Sequence, residues 1–163
     1  MKIGVVTKNL SASQLSYFVF ENLNRCCEGN YEDDYVVFAQ SKSVRMKPNN
    51  FALMDTGEIW GFDGTLISTC VSTTQEVINS VNSAKKYFYV WDLEWCRTHL
   101  IGMQQRRNYF STVQAFIHPS INLIARSQSH ALAIKNYCNR DVCGIVEDFN
   151  MEEMKKVIKN EIC

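Results

Sequence analysis

The sequence predicts an α/β fold: a doubly wound, mostly parallel sheet with helices on both faces, in a single domain spanning 1–163. Two observations carry this expectation. Short unbroken apolar runs recur along the chain, as in strands covered on both faces. Between them lie segments of about ten residues with apolar positions at helical spacing, several opened by a capping signal. Strands alternating with helices of that length imply right-handed crossovers and a parallel sheet.

The first run, KIGVVT from Lys2 to Thr7, reads as a strand. Ser11 with Gln14 three places later forms a capping-box pattern, and Leu15, Phe18, Val19 and Leu23 follow at helical spacing. YVVFA, from Tyr35 to Ala39, is the next strand, and the polar stretch around Pro48 reads as loop. Asp55-Thr56-Gly57 and Asp63-Gly64 are turn signals enclosing EIWGF, and Thr65 to Thr69 is another buried strand. Thr73 and Glu76 make a second capping box, ahead of a helix whose Val77, Ile78 and Val81 share a face. Tyr87 to Trp91 is a strand, and the basic segment CRTHLIGMQQRRNYFSTVQAF holds a helix ahead of Pro119. Ile121 to Ala125 is a strand, Ser127 to Tyr137 a helix, and Val142 to Val146 the last strand. Asn150 caps a final helix with Glu153 at its third position, and Lys155, Lys156 and Lys159 fall at its end, where cations suit the helix dipole.

A chain of 163 residues is long enough to bury one core, and 46% hydrophobic with 12% aromatic content excludes global disorder. Seventeen basic residues balance seventeen acidic ones, so the basic excess of a nucleic-acid binder is missing and such a partner is disfavoured. The seven cysteines, at 26, 27, 70, 96, 138, 143 and 163, are odd in number and show no CxxC pair. They read as reduced thiols of a cytoplasmic protein, several acting as small core residues. The opening apolar run is too short for a signal peptide, and no stretch approaches the roughly eighteen apolar residues of a membrane span, so no membrane partner is expected.

In such a sheet every strand ends along one edge, and ligands bind there, near the point where strand order reverses. Residues 7–13, 70–74, 92–95 and 126–130 are expected to meet at it. They supply two carboxylates, Asp92 and Glu94, and the polar groups of Ser11, Ser13, Thr73, Arg126, Ser127 and His130. Each has a plainer reading. Ser11, Thr73 and Ser127 read first as N-caps, Asp92 and Glu94 equally as solvated loop residues, and Trp91 as packing. Trp95 stands open between a packed lid and an aromatic platform. His99 and His118 read as surface or capping residues, and for His130 a structural role comes ahead of a catalytic one. The first loop lacks GxGxxG and the chain lacks GxxxxGK[ST], which sets NAD binding and P-loop chemistry aside. No metal site is expected.

Three stretches, MKIGVVTKNLSASQ, LISTC before a helix, and LIARSQSHALAIKNYCNRDVCGIVEDFN, resemble the Rossmann-like N-terminal half of GT-B glycosyltransferases. The likeness follows most of the chain in order and spacing. It implies a sugar, nucleotide or nucleotide-sugar bound at the carboxyl edge, with no cofactor besides a nucleotide-sugar donor. It implies that Ser11 and Ser13 approach the sugar and that Arg126 offsets phosphate charge. A carboxylate, Asp92 first and Glu94 second, would deprotonate the attacking hydroxyl. In that family a second domain holds most of the donor, so activity is expected to need a partner chain, a second copy of this one, or an unusually small one-domain site. The alternative is a non-catalytic binding or scaffold module derived from a truncated Rossmann-type domain. A third reading is a small flavodoxin-like or deoxyribosyltransferase-like nucleotide enzyme.

Overall fold

The computed structural model describes residues 1–11, 13–29, 32–41, 48–97 and 103–160, with residues 29 and 103–108 described by their backbone alone. The chain runs through β1 (Lys2–Asn9), α1 (Gln14–Gly29), β2 (Asp34–Ser41), β3 (Ala52–Asp55), a 3-10 turn (Thr56–Gly61), β4 (Thr65–Ser68) and α2 (Val71–Asn79). It continues through β5 (Lys85–Val90), a second 3-10 turn (Glu94–Arg97), α3 (Met103–Ile117), β6 (Asn122–Ala125), α4 (Gln128–Cys138), β7 (Gly144–Ile145), a third 3-10 turn (Glu147–Phe149) and α5 (Met151–Lys159).

The seven strands form one sheet in the order β3-β2-β1-β4-β5-β6-β7, and every neighbouring pair is parallel. From β1 the chain steps outward to β2 and β3, then returns past β1 to β4 and steps the other way. Strand order therefore reverses between β1 and β4, the arrangement of a doubly wound Rossmann-like α/β sheet. Successive strand residues face opposite sides, so one sequence feeds two cores. Ile3, Val5, Val37, Ile67, Tyr87, Tyr89 and Ile124 pack against α1 and α5 through Val19, Phe20, Leu23, Met151, Met154 and Ile158. Val6, Phe38, Leu66, Phe88, Val90 and Leu123 pack on the other face against Val77 of α2, Phe116 of α3 and Ile134 of α4. Gly4 keeps the second face tight: a Cβ there would lie 2.8 Å from both Leu66 Cδ2 and Phe38 Cε2. Among the described residues no helix is long and apolar enough to cross a membrane.

Several local expectations change. Ser13, not Ser11, caps α1: its Oγ accepts the Ser16 N–H at 3.2 Å and its carbonyl accepts the Tyr17 N–H. Ser11 instead donates its hydroxyl to Asn9 Oδ1 at 2.6 Å, closing the loop on itself. Thr73 is the third residue of α2 and Cys70 its N-cap. The short edge strand β3 was hidden because only Leu53 of its four residues is even half-buried, which leaves no apolar run to read. β7 shrinks to two residues. Lys155 does not sit at a helix end; it is buried in mid-helix, with Nζ 2.8 Å from Glu152 Oε1 and 3.4 Å from Asp33 Oδ2. Lys156 and Lys159 do occupy the last turn of α5, and Asn150 caps its start by accepting the N–H groups of Glu152 and Glu153.

Candidate functional site

Parallel pairing delivers the segments that follow β1, β4, β5 and β6 to the carboxyl edge. β5 and β6 pair with Tyr89 opposite Ile124 and Val90 opposite Ala125. The next residues on the α1/α5 side are therefore Trp91 and Arg126, neighbours by register. Trp91 is 8% exposed, and its ring lies 5.9 Å from that of Phe18 and 6.3 Å from that of Tyr89. The Arg126 guanidinium carbon sits 3.9 Å from the Trp91 ring centroid. A stacked guanidinium gains about 0.5–2 kcal/mol from the ring and keeps its in-plane donors available. Among the described residues Arg126 makes no hydrogen bond or ion pair.

Ser127 caps α4, with its Oγ accepting the His130 N–H at 3.3 Å. The same Oγ lies 2.9 Å from His130 Nδ1 and 2.9 Å from Ser129 Oγ. The contact with Ser127 orients the imidazole. Burial, and then the Arg126 charge, hold His130 below the ordinary 6.5, while Asp92 and the Trp91 carbonyl pull the other way. Asp92, half-buried, thus stands within electrostatic reach of His130. Asp92, Arg126, Ser127 and His130 form one group around Trp91.

A second group gathers at the start of α2. Glu94 reaches back from the segment after β5, and its Oε1 accepts the Val71 N–H at 2.8 Å. Thr73 Oγ1 accepts the N–H groups of Thr69 at 3.3 Å and Cys70 at 3.2 Å. Thr69 also spans the reversal point, donating both its N–H and its hydroxyl to the Val6 carbonyl. Ser11 and Ser13 remain on the loop after β1, Ser11 bonded to Asn9 and Ser13 to Ser16 of α1.

Trp95 lies in the helix layer. Its ring stacks on Tyr137 at 4.3 Å and 7°, and meets Phe116 edge-on at 4.8 Å, so its contacts are those of packing between α3 and α4. His118 Nδ1 lies 2.8 Å from Ser120 Oγ in the turn before β6, and His99 falls outside the described residues. The residue that sequence reasoning passed over is Trp91, treated there as packing alone. The signal was present in the period-two pattern: Trp91 follows Tyr89 by two places as Arg126 follows Ile124.

A cavity of about 600 Å³ opens at the opposite, amino-terminal edge, lined by Lys2, Asp34, Tyr35, Phe51, Phe62 and Asp63 among others. Lys2 and Asp63 pair with each other at 2.9 Å there. Among the described residues no group of three or more His, Cys, Asp or Glu is arranged to hold a metal ion. Comparison with family models, curated proteins and solved structures finds no match to this chain.

Proposed function

We propose that this chain is a glycosyltransferase-like domain whose carboxyl edge binds a sugar, nucleotide or nucleotide-sugar through a phosphate. The observation that carries the reading is Arg126, stacked on Trp91 with its N–H donors unspent among the described residues. A planar guanidinium held flat by a buried ring is suited to bidentate capture of phosphate oxygens. Ser127, the N-cap of α4, and Ser129 in its first turn follow Arg126 in the chain, and Ser11 and Ser13 stand on the loop after β1. The described cysteines are free thiols, which supports a cytoplasmic setting. Asp92 is the general base for a transfer reaction, and a partner chain or second copy supplies the other wall of the cleft.

The test is calorimetric titration and thermal shift of the wild type and Arg126→Ala against nucleosides, nucleotides and nucleotide-sugars. Phosphorylated compounds raise the melting temperature of the wild type, and Arg126→Ala weakens them about tenfold or more. Where transfer is measured, Asp92→Asn lowers the rate by about a hundredfold or more. Unaltered binding in Arg126→Ala overturns the phosphate reading, and unaltered transfer in Asp92→Asn removes Asp92 as the base. A second reading, a non-catalytic scaffold module, draws on the outer side of α3, where Tyr109, Phe110 and Ile117 are 56%, 70% and 53% exposed. It prevails if no compound in the panel shifts the melting temperature.

A further inference from the structure

The first three strands and the turn into β4 begin around one cavity. Lys2 opens β1, Asp34 opens β2, Ala52 opens β3 and Asp63 precedes β4, and all four line the space of about 600 Å³ at the amino-terminal edge. Small-molecule sites typically enclose about 300–1,000 Å³ between apolar walls that carry a few placed polar groups. This cavity has both features. Two of its walls are aromatic and held by the cores: Phe51 meets Phe20 edge-on at 5.2 Å, and Phe62 meets Phe38 edge-on at 5.3 Å. Val36 and Ala52, partners in register, add aliphatic surface.

The charged groups decide what such walls can hold. Lys2 and Asp34 are direct partners across β1 and β2, yet Lys2 Nζ turns to both oxygens of Asp63, at 2.9 and 3.1 Å. Asp33, also on the lining, bonds the Met1 ammonium at 2.8 Å and shares Lys155 with Glu152. Three cations therefore face four carboxylates, and the carboxylate left over is that of Asp34, which has no hydrogen bond or ion pair among the described residues. An uncompensated carboxylate beside aromatic faces attracts a cation with an apolar body and repels an anion. The geometry points to a binding site at the amino-terminal edge for a protonated amine carried on an aromatic body, with the ammonium toward Asp34 and the rings against Phe51 and Phe62. The site lies at the edge opposite Arg126 and is independent of what binds there.

The probes are tryptamine, its uncharged N-acetyl derivative and indole-3-propionate, which carry the same rings with positive, no and negative charge. Each is titrated calorimetrically at neutral pH into the wild type, Asp34→Asn, Ala52→Trp and Arg126→Ala, with melting temperatures recorded without ligand to confirm folding. The wild type binds tryptamine about fivefold more tightly than the N-acetyl compound and about tenfold more tightly than the propionate. Asp34→Asn, a change at an exposed side chain, removes the advantage of tryptamine and leaves the N-acetyl compound unchanged. Ala52→Trp, which fills the cavity from its wall, weakens all three, and Arg126→Ala weakens none. An absence of tryptamine binding to the wild type overturns the site. A preference for tryptamine that survives in Asp34→Asn overturns the role of the carboxylate, and binding untouched by Ala52→Trp overturns the cavity as its seat.

Discussion

His130 lies beside a guanidinium and a carboxylate, and the order of their influences sets its behaviour. Burial and the Arg126 charge favour the neutral ring; Asp92 and the Trp91 carbonyl favour the charged one and lose. In the unfolded chain the imidazole titrates near its ordinary 6.5, above the folded value. Between the two values the unfolded state binds more protons, so this contribution is fully present above about pH 6.5 and is lost as pH falls through the lowered folded value. Urea unfolding at neutral and mildly acidic pH is expected to show the loss in the wild type and a flatter profile in His130→Gln. The opposite slope would mean that Asp92 dominates. Ser127, the remaining polar neighbour of the ring, does not titrate and drops out of the comparison.

At the scale of elements, β5 is coupled to the turn before α5 by a single phenol. Tyr89 Oη donates to the Val146 carbonyl at 2.8 Å and accepts the Phe149 N–H at 3.2 Å. Burial pushes its pKa up to about 12, so it remains a donor throughout the neutral range. That turn contains two non-glycine residues in the left-handed region, Asp148 with φ 47° and Phe149 with φ 56°, a conformation the neighbouring structure must impose. Tyr89→Phe leaves a buried carbonyl and a buried N–H without this partner, and is expected to cost about 2–4 kcal/mol in chemical denaturation. A cost below about 0.5 kcal/mol would show that the ring contact with Phe149, which the substitution keeps, holds the turn without the hydroxyl.

Across the whole molecule, Lys155 ties the last helix to the start of β2, bridging 122 residues to Asp33. Both side chains are 9% exposed. Burial raises the Asp33 carboxyl, but its bonds to the amino terminus and to Lys155 outweigh that and hold it below its ordinary 3.8. Its contribution to stability is therefore present above that value and lost as pH falls through the folded one. Lys155→Met removes one partner of a buried pair and is expected to cost about 3 kcal/mol. In Lys155→Met combined with Asp33→Asn the penalties are less than additive, because the second change removes the carboxylate that the first left short of a partner. Additive penalties by equilibrium unfolding would mean the two groups do not interact.

The α/β class, the parallel sheet and the edge to which residues 92–95 and 126–130 are delivered are legible in the residue pattern, because strand and helix periods are local and the handedness of crossovers leaves few ways to connect them. So are the caps at Ser127 and Asn150, whose hydrogen bonds close within three residues. Which edge residues are engaged, and by what, follows from the three-dimensional packing instead. Glu94 and Arg126 both read as polar residues after apolar strands. Cross-strand register sets Arg126 on Trp91, while the return of the chain from β5 to α2 engages Glu94 with Val71. Trp95 and Trp91 likewise stand four residues apart, yet one joins the layer of α3 and α4 and the other the opposite face of the sheet. Those outcomes depend on contacts between segments distant in the chain, and no local pattern carries them.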